Sequence, residues 1–236
     1  MKLRSSCVFA RAVEVPEDLQ WLGTTELEHL AGLRLAKRRA DWVLGRWTAK
    51  QALILDPEAE LDISDLSQLE ILPTPTGSPQ VFLQGVAMPI ALSLSHRAGA
   101  ALCAVARDGA VGCDLEWVED RSTAFVEDYF TPSERALIEE RGTELTALMA
   151  NAMWSAKESL LKLLGLGLTV DTRSLTVSSF PVSRSGEWQP FTVHLHPDSR
   201  QFNGWWRRRD NWVLTVATDP QSECPVERHR PAVRRG

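Results

Sequence analysis

Apolar and polar positions recur along the chain with two different periods, which predicts a mixture of helices and strands. The clearest helix covers 154–167, where straight-chain helix formers continue without proline to a closing glycine. One side of it is an apolar stripe formed by Met153, Leu160 and Leu164. Another face carries residues spaced four apart, namely Trp154, Glu158 and Lys162. This helix is expected to bury one face and to present charge on another.

Other patterns place further elements along the chain. Thr25 with Glu28 predicts the start of a short helix, and a longer helix is expected over 33–55. Thr131, Pro132 and Glu134 give a strong helix-start signal. Strands are expected at 6–13, at 111–118 after the turn at Asp108-Gly109, and at 173–180, 190–196 and 211–218, with a pair inside 90–107 that meets near 96–99. Residues 56–80 are expected to be loop, and 221–236 a disordered tail.

A repeated segment predicts an internal duplication. Trp47-Thr-Ala-Lys-Gln-Ala-Leu-Ile resembles Trp154-Ser-Ala-Lys-Glu-Ser-Leu-Leu, 107 residues later, and Thr24 precedes Thr131 by the same interval. We therefore expect an α+β fold that is a pseudo-dimer of two similar halves, each a long helix packed on a small antiparallel sheet. The predicted boundaries are an N-terminal repeat over 1–107 and a C-terminal repeat over 108–220. Gln51 stands where the second copy has Glu158 and cannot serve as a base, so one active site is expected, near the junction of the halves.

Composition narrows the class of protein. The 236 residues are 44% hydrophobic and 24% charged, as in ordinary globular proteins, and the net charge of −5 argues against a broad nucleic-acid-binding face. The four cysteines are far apart, which favours reduced thiols over disulfides or a zinc site. No apolar run reaches about 18 residues and no signal-peptide pattern is present, so we expect a cytoplasmic protein without a membrane span.

Two short patterns carry candidate chemistry. Asp114 and Glu116 occupy alternate positions of one predicted strand and so point to its exposed face, where with Glu158 they could hold a hard cation on a diphosphate. Taken alone, the pair is better explained as an ordinary polar strand face. Ser95 and His96 end another strand and could contact phosphate, or could be a capping serine and a surface histidine. Neither a nucleophile elbow nor a P-loop is present.

Taken together, three motifs resemble the Sfp-type 4′-phosphopantetheinyl transferases. They are Ser95-His96, then Val-Gly-Cys-Asp-Leu-Glu over 111–116, then Trp-Ser-Ala-Lys-Glu-Ser-Leu-Leu-Lys over 154–162. The resemblance implies transfer of 4′-phosphopantetheine from coenzyme A to a serine of an acyl or peptidyl carrier protein, with release of adenosine 3′,5′-bisphosphate. It also implies a monomer that serves fatty acid, polyketide or nonribosomal peptide synthesis. The sequence leaves open which carrier is the partner.

The resemblance assigns a role to each site residue. Magnesium, or manganese, would be held by Asp114, Glu116 and Glu158. Catalysis would rest on Glu158, Lys157 and Lys162. Coenzyme A phosphates would be contacted by Ser95, His96, Arg46, Arg39, Lys50, Lys157 and Lys162. The loop over 74–79 would contact adenine, although Ser78 stands where the family often has a basic residue. Two rival functions are a non-catalytic coenzyme A-binding module and a metal-dependent phosphohydrolase.

Overall fold

Two long helices, each lying against antiparallel strands, form the frame of the molecule. The structure is a computed structural model that describes residues 4–140, 143–167, 170–181, 186–197, 200–220 and 222–229. The first half contains β1 Ser5–Arg11, α1 Thr24–Gly32, α2 Ala36–Ile54, β2 Leu69–Pro73, β3 Pro79–Leu83, β4 Val86–Ala87, β5 Ala91–Arg97 and β6 Ala100–Ala106. The second contains β7 Ala110–Trp117, α3 Thr123–Tyr129, α4 Pro132–Glu139, α5 Thr143–Leu163, β8 Leu175–Ser179, β9 Gln189–Leu195, β10 Arg200–Arg209, β11 Trp212–Asp219 and finally β12 Val226–Glu227. The predicted α+β class is confirmed.

The strands pair within each half, except that β12 from the end of the chain pairs with β1. In the second half they form one sheet of order β7-β11-β10-β9-β8. In the first half the order is β12-β1-β6-β5, and β2-β3-β4 form a separate small sheet. The two larger sheets share an apolar core built from alternate residues of β1, β6, β7 and β11. Its most buried members include Cys7, Leu102, Cys113 and Leu214. Since the other faces of these sheets carry the long helices, the junction of the halves lies between α2 and α5.

A buried glutamate–lysine cluster recurs in both halves. Glu26 and Glu134 each occupy the third position of a short helix and accept a hydrogen bond from the backbone N–H of its N-cap residue. Each also accepts one from a strand N–H, that of Ile71 on β2 or of Val177 on β8. Each then pairs with a lysine of the following long helix: Lys50 at 2.6 Å from Glu26 and Lys157 at 2.8 Å from Glu134. The cluster ties the short helix, the long helix and a strand of each half together.

The structure corrects the predicted start of the first short helix. Its N-cap is Gly23, and the N3 glutamate is Glu26 rather than Glu28, so the Thr25–Glu28 capping box is wrong. Thr25 instead donates to the carboxylate of Glu70 from its backbone nitrogen and its hydroxyl. The equivalent N-caps, Gly23 and Thr131, are therefore 108 positions apart, whereas the tryptophans of the repeated segment are 107 apart. The gap-free alignment of the helix starts is thus replaced by one with a single extra residue in the first half.

Local sequence patterns also missed several strands. The stretch predicted as loop contains β2 and the beginning of β3, in which prolines occupy the strand ends. The strand β10 and the helix α3 were not predicted. In the tail predicted to be disordered, Val226 and Glu227 pair in parallel with β1, and residues 221 and 230–236 lie outside the described part of the chain. Tertiary pairing with the edge of β1 orders residues whose local sequence carries no strand signal. Within the described residues, no helix is both long enough and apolar enough to cross a membrane.

Candidate active site

Helix α5 lies so close to strand β7 that only glycine fits between them. A Cβ atom added to Gly112 would lie 1.9 Å from the carbonyl oxygen of Ser159 and 2.6 Å from the backbone nitrogen of Leu163. This close approach covers the strand face that carries Asp114 and Glu116. The sequence predicted an exposed face here, but only 4% of the surface of Asp114 is exposed. The predicted alternation is confirmed, because Cys113 and Leu115 point the other way into the core between the sheets.

We expect Gly112→Ala to loosen this packing and to lower activity together with stability. The methyl group must push α5 away from β7, and overpacking of this kind costs about 1–3 kcal/mol. A shift of about 1 Å at the site can lower turnover by about 10²-fold. Chemical denaturation and a transfer assay would measure both. Gly32→Ala is the matched control, because a Cβ there meets nothing within 4 Å; equal effects in the two variants would contradict this account of Gly112.

Asp114 joins the two halves through hydrogen bonds. Its Oδ1 atom accepts from Lys162 Nζ on α5 at 2.7 Å and from Ser95 Oγ on β5 at 2.8 Å. Lys162 also donates to the carbonyl oxygen of Cys113 at 3.1 Å. Burial lowers the pKa of Lys162, but the charges of Asp114 and Glu158 outweigh it and hold that pKa above its usual value. Lys162 therefore remains an ammonium group, held over the aspartate by both contacts.

Glu116 is fixed by partners that the sequence analysis did not identify. Its Oε1 atom accepts from Trp154 Nε1 at 3.1 Å, and its Oε2 atom accepts from Arg121 Nη2 at 2.9 Å. Arg97 Nε lies 3.6 Å from the same Oε2 atom. Burial and the charge of Asp114 raise the pKa of Glu116, and the two arginines oppose that rise. The only signal for Arg121 in the sequence is its position five residues beyond Glu116, which is too weak to single it out.

Glu158 has the most perturbed carboxyl group of the site. Burial, followed by the charge of Asp114, raises its pKa to about 7, while Lys162 opposes the rise. Its Oε1 atom is buried without a hydrogen-bond partner, and so is Oδ2 of Asp114. A carboxyl group with a pKa near 7 can exchange a proton at neutral pH. The structure therefore gives Glu158 the properties of a general base.

The two unpartnered carboxylate oxygens also fit a hard cation. Magnesium binds through one or two carboxylates and completes its octahedron with water and phosphate oxygens. Asp114 Oδ2 and Glu158 Oε1 offer two such ligands on adjacent elements, β7 and α5. Among the residues that the structure describes, no three His, Cys, Asp or Glu side chains are grouped as a metal site. Because Glu116 is held by Trp154 and Arg121, it fits the expected role of third ligand less well than the other two.

Two adjoining cavities open beside this site, and Arg46 lines both. We call the first, of about 400 Å³, the loop cavity; its lining includes Thr76–Pro79, Leu92–Leu94, Arg46, Lys162, Gly165 and Gly167. We call the second, of about 430 Å³, the basic cavity; its lining includes Lys37, Arg38, Arg46, Ser95 and His96. The Arg46 guanidinium lies 4.6 Å from the ring centroid of Trp42, and its Nε atom lies 3.6 Å from Oε1 of the buried Glu26. The cationic lining of both cavities suits a phosphorylated ligand.

Three predicted phosphate contacts lie elsewhere. The amine of Lys157 is fully buried and donates to Glu134 and to the carbonyl oxygens of Tyr129 and Thr172. Lys50 is buried in the same way in the first half, with two carbonyl acceptors besides Glu26. Arg39 donates to the carbonyl oxygens of Leu30 and Leu33 at the end of α1. The acceptors occupy the amines of Lys157 and Lys50 and the Nη1 atom of Arg39, so these contacts argue for structural roles.

The predicted residues that do meet at the junction come from both halves. β5 supplies Ser95 and His96, α2 supplies Arg46, β7 supplies Asp114 and Glu116, and α5 supplies Glu158 and Lys162. His96 is half-exposed, and its Nε2 atom lies 3.8 Å from Asp41 Oδ2 at the rim of the basic cavity. The loop expected to contact adenine lines the loop cavity, where the hydroxyl groups of Thr74, Thr76 and Ser78 lie within hydrogen-bonding distance of one another.

Comparison with known proteins adds a family to this geometry. Residues 110–217 match the model of the 4′-phosphopantetheinyl transferase superfamily. The matched segment begins at β7 and ends in β11. No curated protein matches the sequence. Similar solved structures include a holo-(acyl-carrier-protein) synthase from Bacillus anthracis str. Ames in complex with CoA (3′,5′-ADP), at 17% identity and a TM-score of 0.38, over 45% of this chain and 96% of that one. Another is holo-[acyl-carrier-protein] synthase from Thermotoga maritima, at 20% identity and a TM-score of 0.37, over 56% and 76%. Residues 110–217 are therefore similar to the 4′-phosphopantetheinyl transferase superfamily, and this match supports a phosphopantetheinyl transferase enzyme.

Proposed function

We propose that this enzyme transfers 4′-phosphopantetheine from coenzyme A to a serine of an acyl or peptidyl carrier protein and releases adenosine 3′,5′-bisphosphate. The observation that carries the proposal is the group formed by Asp114, Glu158 and Lys162. Two of its carboxylate oxygens have no partner, its ammonium is fixed, and Lys162 borders the loop cavity. The family match of the same segment supports this chemistry over other uses of three carboxylates.

The cavities suggest how coenzyme A is placed. Lys162 and Arg46 line the loop cavity and would contact the diphosphate, with the loop 74–79 beside the adenine. His96, Lys37 and Arg38 line the adjoining basic cavity and would meet the 3′-phosphate. Arg46 would act on both sides because it borders both cavities. Ser78 contributes only a hydroxyl group to this lining, so the loop adds no charge to phosphate binding.

Glu158 would take the proton of the carrier serine. The serine oxygen forms a bond to the phosphorus that bears pantetheine, and the bond from that phosphorus to the oxygen of the adenosine bisphosphate breaks. Lys162 would stabilise the negative charge that grows on the leaving group. Asp114 and Glu158 would hold magnesium, or manganese, which when bound neutralises charge on the diphosphate. Trp154 and Arg121 orient Glu116 toward the same site.

We expect Asp114→Asn to raise the magnesium concentration needed for activity. Asparagine keeps the size and an oxygen acceptor, but it removes the charge that attracts the cation, so turnover at limiting magnesium should fall by at least about tenfold. A magnesium titration of the transfer rate measures this. Asp120→Asn, at an exposed site beyond the same strand, controls for loss of charge alone. Identical magnesium dependence in the two variants would remove Asp114 from the metal site.

We further infer that the chain is a pseudo-dimer of the Sfp type that works as a monomer in the cytoplasm. The recurrent glutamate–lysine cluster and the repeated order of a first strand, a short helix, a long helix and further strands support duplication. Because residues of both halves line the loop cavity, one chain supplies both walls of the site. Light scattering tests the monomer, and an obligate trimer would contradict it.

Mass spectrometry of a carrier protein incubated with the enzyme, coenzyme A and magnesium is the decisive test of function. A transferase adds the phosphopantetheine mass to the carrier serine and releases adenosine 3′,5′-bisphosphate. A phosphohydrolase would release nucleotide without modifying the carrier, and a coenzyme A-binding module would change neither molecule. Either of the last two results, obtained with carriers from all three classes of pathway, would overturn the proposal.

A further inference from the structure

A third cavity lies beside β1 and α2. Its volume is about 170 Å³, comparable with the ~150 Å³ of a cavity that holds a benzene-sized ligand. Its lining includes Val8 and Ala10 of β1, Trp47, Gln51 and Leu55 in and after α2, and Glu14, Arg209, Arg228 and His229. None of these residues belongs to the proposed active site.

The side-chain amide of Gln51, which lines this cavity, lacks hydrogen-bond partners. Gln51 is only 3% exposed, and both Oε1 and Nε2 are buried without a hydrogen-bond partner. An unsatisfied buried amide atom destabilises the fold, so a glutamine with two such atoms is unfavourable unless something binds it. In the repeated segment, Gln51 corresponds to Glu158 of the second half. The amide offers one acceptor and one donor side by side, which is complementary to another primary amide.

The charged and titratable residues of the lining are Glu14, Arg209, Arg228 and His229. Glu227, whose side chain is 6% exposed, is shared by Arg207 and Arg209, each at 2.6 Å. Arg228 is fixed against β1 by its backbone N–H, which donates to the carbonyl oxygen of Cys7 at 2.8 Å. The Nε atom of Arg228 is buried without a hydrogen-bond partner. An arginine with an unused donor, in a region where one carboxylate already serves two arginines, suits an anionic group.

We propose that this cavity is a second ligand site, which binds a small carboxylate that also carries an amide group. The carboxylate would accept from Arg228, and the amide of the ligand would exchange two hydrogen bonds with Gln51. The apolar side chains of Val8 and Leu55 leave room for the short carbon chain between the two groups. The carboxylates of the active site attract a cation, whereas this cavity, in which an amide replaces the glutamate, attracts an anion without metal.

Calorimetric titration of the full chain with succinamate, which carries a carboxylate and a primary amide, tests the proposal, with acetate and acetamide as probes that each carry one half of it. We expect succinamate to bind at least tenfold more tightly than either. Gln51→Leu and Arg228→Gln should each weaken its binding by tenfold or more and leave coenzyme A binding unchanged. Arg208→Gln is the matched control, because Arg208 is exposed and lies outside the cavity lining. Thermal melts establish that each variant is folded.

Three outcomes would overturn the inference. If no probe binds and Gln51→Leu raises the melting temperature, the cavity holds only water. If inorganic phosphate displaces succinamate and Gln51→Leu has no effect, the site is an anion patch without amide recognition. If Arg208→Gln weakens binding as much as Arg228→Gln does, the effect is one of overall charge. Should Gln51→Leu fail to fold, Arg228→Gln, on the C-terminal segment, still decides between binding and its absence.

Discussion

Glu158→Gln should lower turnover by about 10²–10⁴ and leave coenzyme A affinity near that of the parent protein. Glutamine keeps the size of the side chain, but it cannot accept the serine proton and brings no negative charge to a cation. Lys162, Arg46 and His96 still line the cavities and can contact the phosphates. Single-turnover kinetics and calorimetry separate the two quantities. Glu139→Gln, at an exposed position on α4, controls for loss of one charge.

The raised pKa of Glu158 adds a pH dependence with a definite sign. The pKa of Glu158 is about 7 in the folded protein and 4.5 in a model peptide, so the folded state binds the proton more tightly. Proton binding by Glu158 therefore adds to the free energy of unfolding below about pH 4.5, and this stabilisation is lost as pH rises through about 7. The variant should therefore be more stable than the parent above pH 7 and equally stable at pH 4. Turnover of the parent should rise with pH through this range. Unchanged turnover in the variant would reduce Glu158 to a structural partner of Lys162.

Lys157→Met should destabilise the protein by about 3–5 kcal/mol, because it leaves the carboxylate of Glu134 buried without its cation. That is a large part of the 5–15 kcal/mol that typically stabilises a domain. Urea unfolding measures it. The double variant Lys157→Met/Glu134→Gln should regain part of the loss, since the amide still accepts from Val177 and carries no charge. Equal destabilisation in the single and double variants would mean that lost packing, rather than unpaired charge, is responsible.

Lys162→Met removes the other lysine of the same helix motif and serves as the comparison for Lys157→Met. The Lys162 side chain is 29% exposed and borders the loop cavity, whereas that of Lys157 is fully buried. We expect Lys162→Met to fold, and to lose coenzyme A affinity and turnover by at least about tenfold. If instead Lys157→Met were folded and lost coenzyme A affinity, the phosphate contact implied by the family resemblance would be correct after all.

The buried cluster explains which parts of the repeated segment are shared by both halves. Lys50 forms a buried ion pair with Glu26, and Lys157 forms the equivalent pair with Glu134. This shared role explains why a lysine stands at this position in each copy. The next residue faces a different environment in each half, and there the copies differ as Gln51 and Glu158. Adjacent residues of one motif thus serve stability and chemistry separately. A linear motif does not reveal this division, because residues one position apart on a helix face different sides.

Sequence alone determined the α+β class, the amphipathic helix α5, the alternation of Asp114 and Glu116, and the helix start at Thr131. These features depend on residues within one or two turns of each other, where period and capping chemistry act directly. The motif set also led to the family that the match of residues 110–217 supports. Only the tertiary structure decided that Gly112 brings α5 onto β7, that Lys157 and Lys50 are buried in ion pairs, and that β12 is ordered on β1. The tertiary structure also showed that Arg121 donates to Glu116 and that the side-chain amide of Gln51 has no hydrogen-bond partner. Each of these depends on which side chains meet across long separations in sequence, and such contacts leave no periodic signal in the chain.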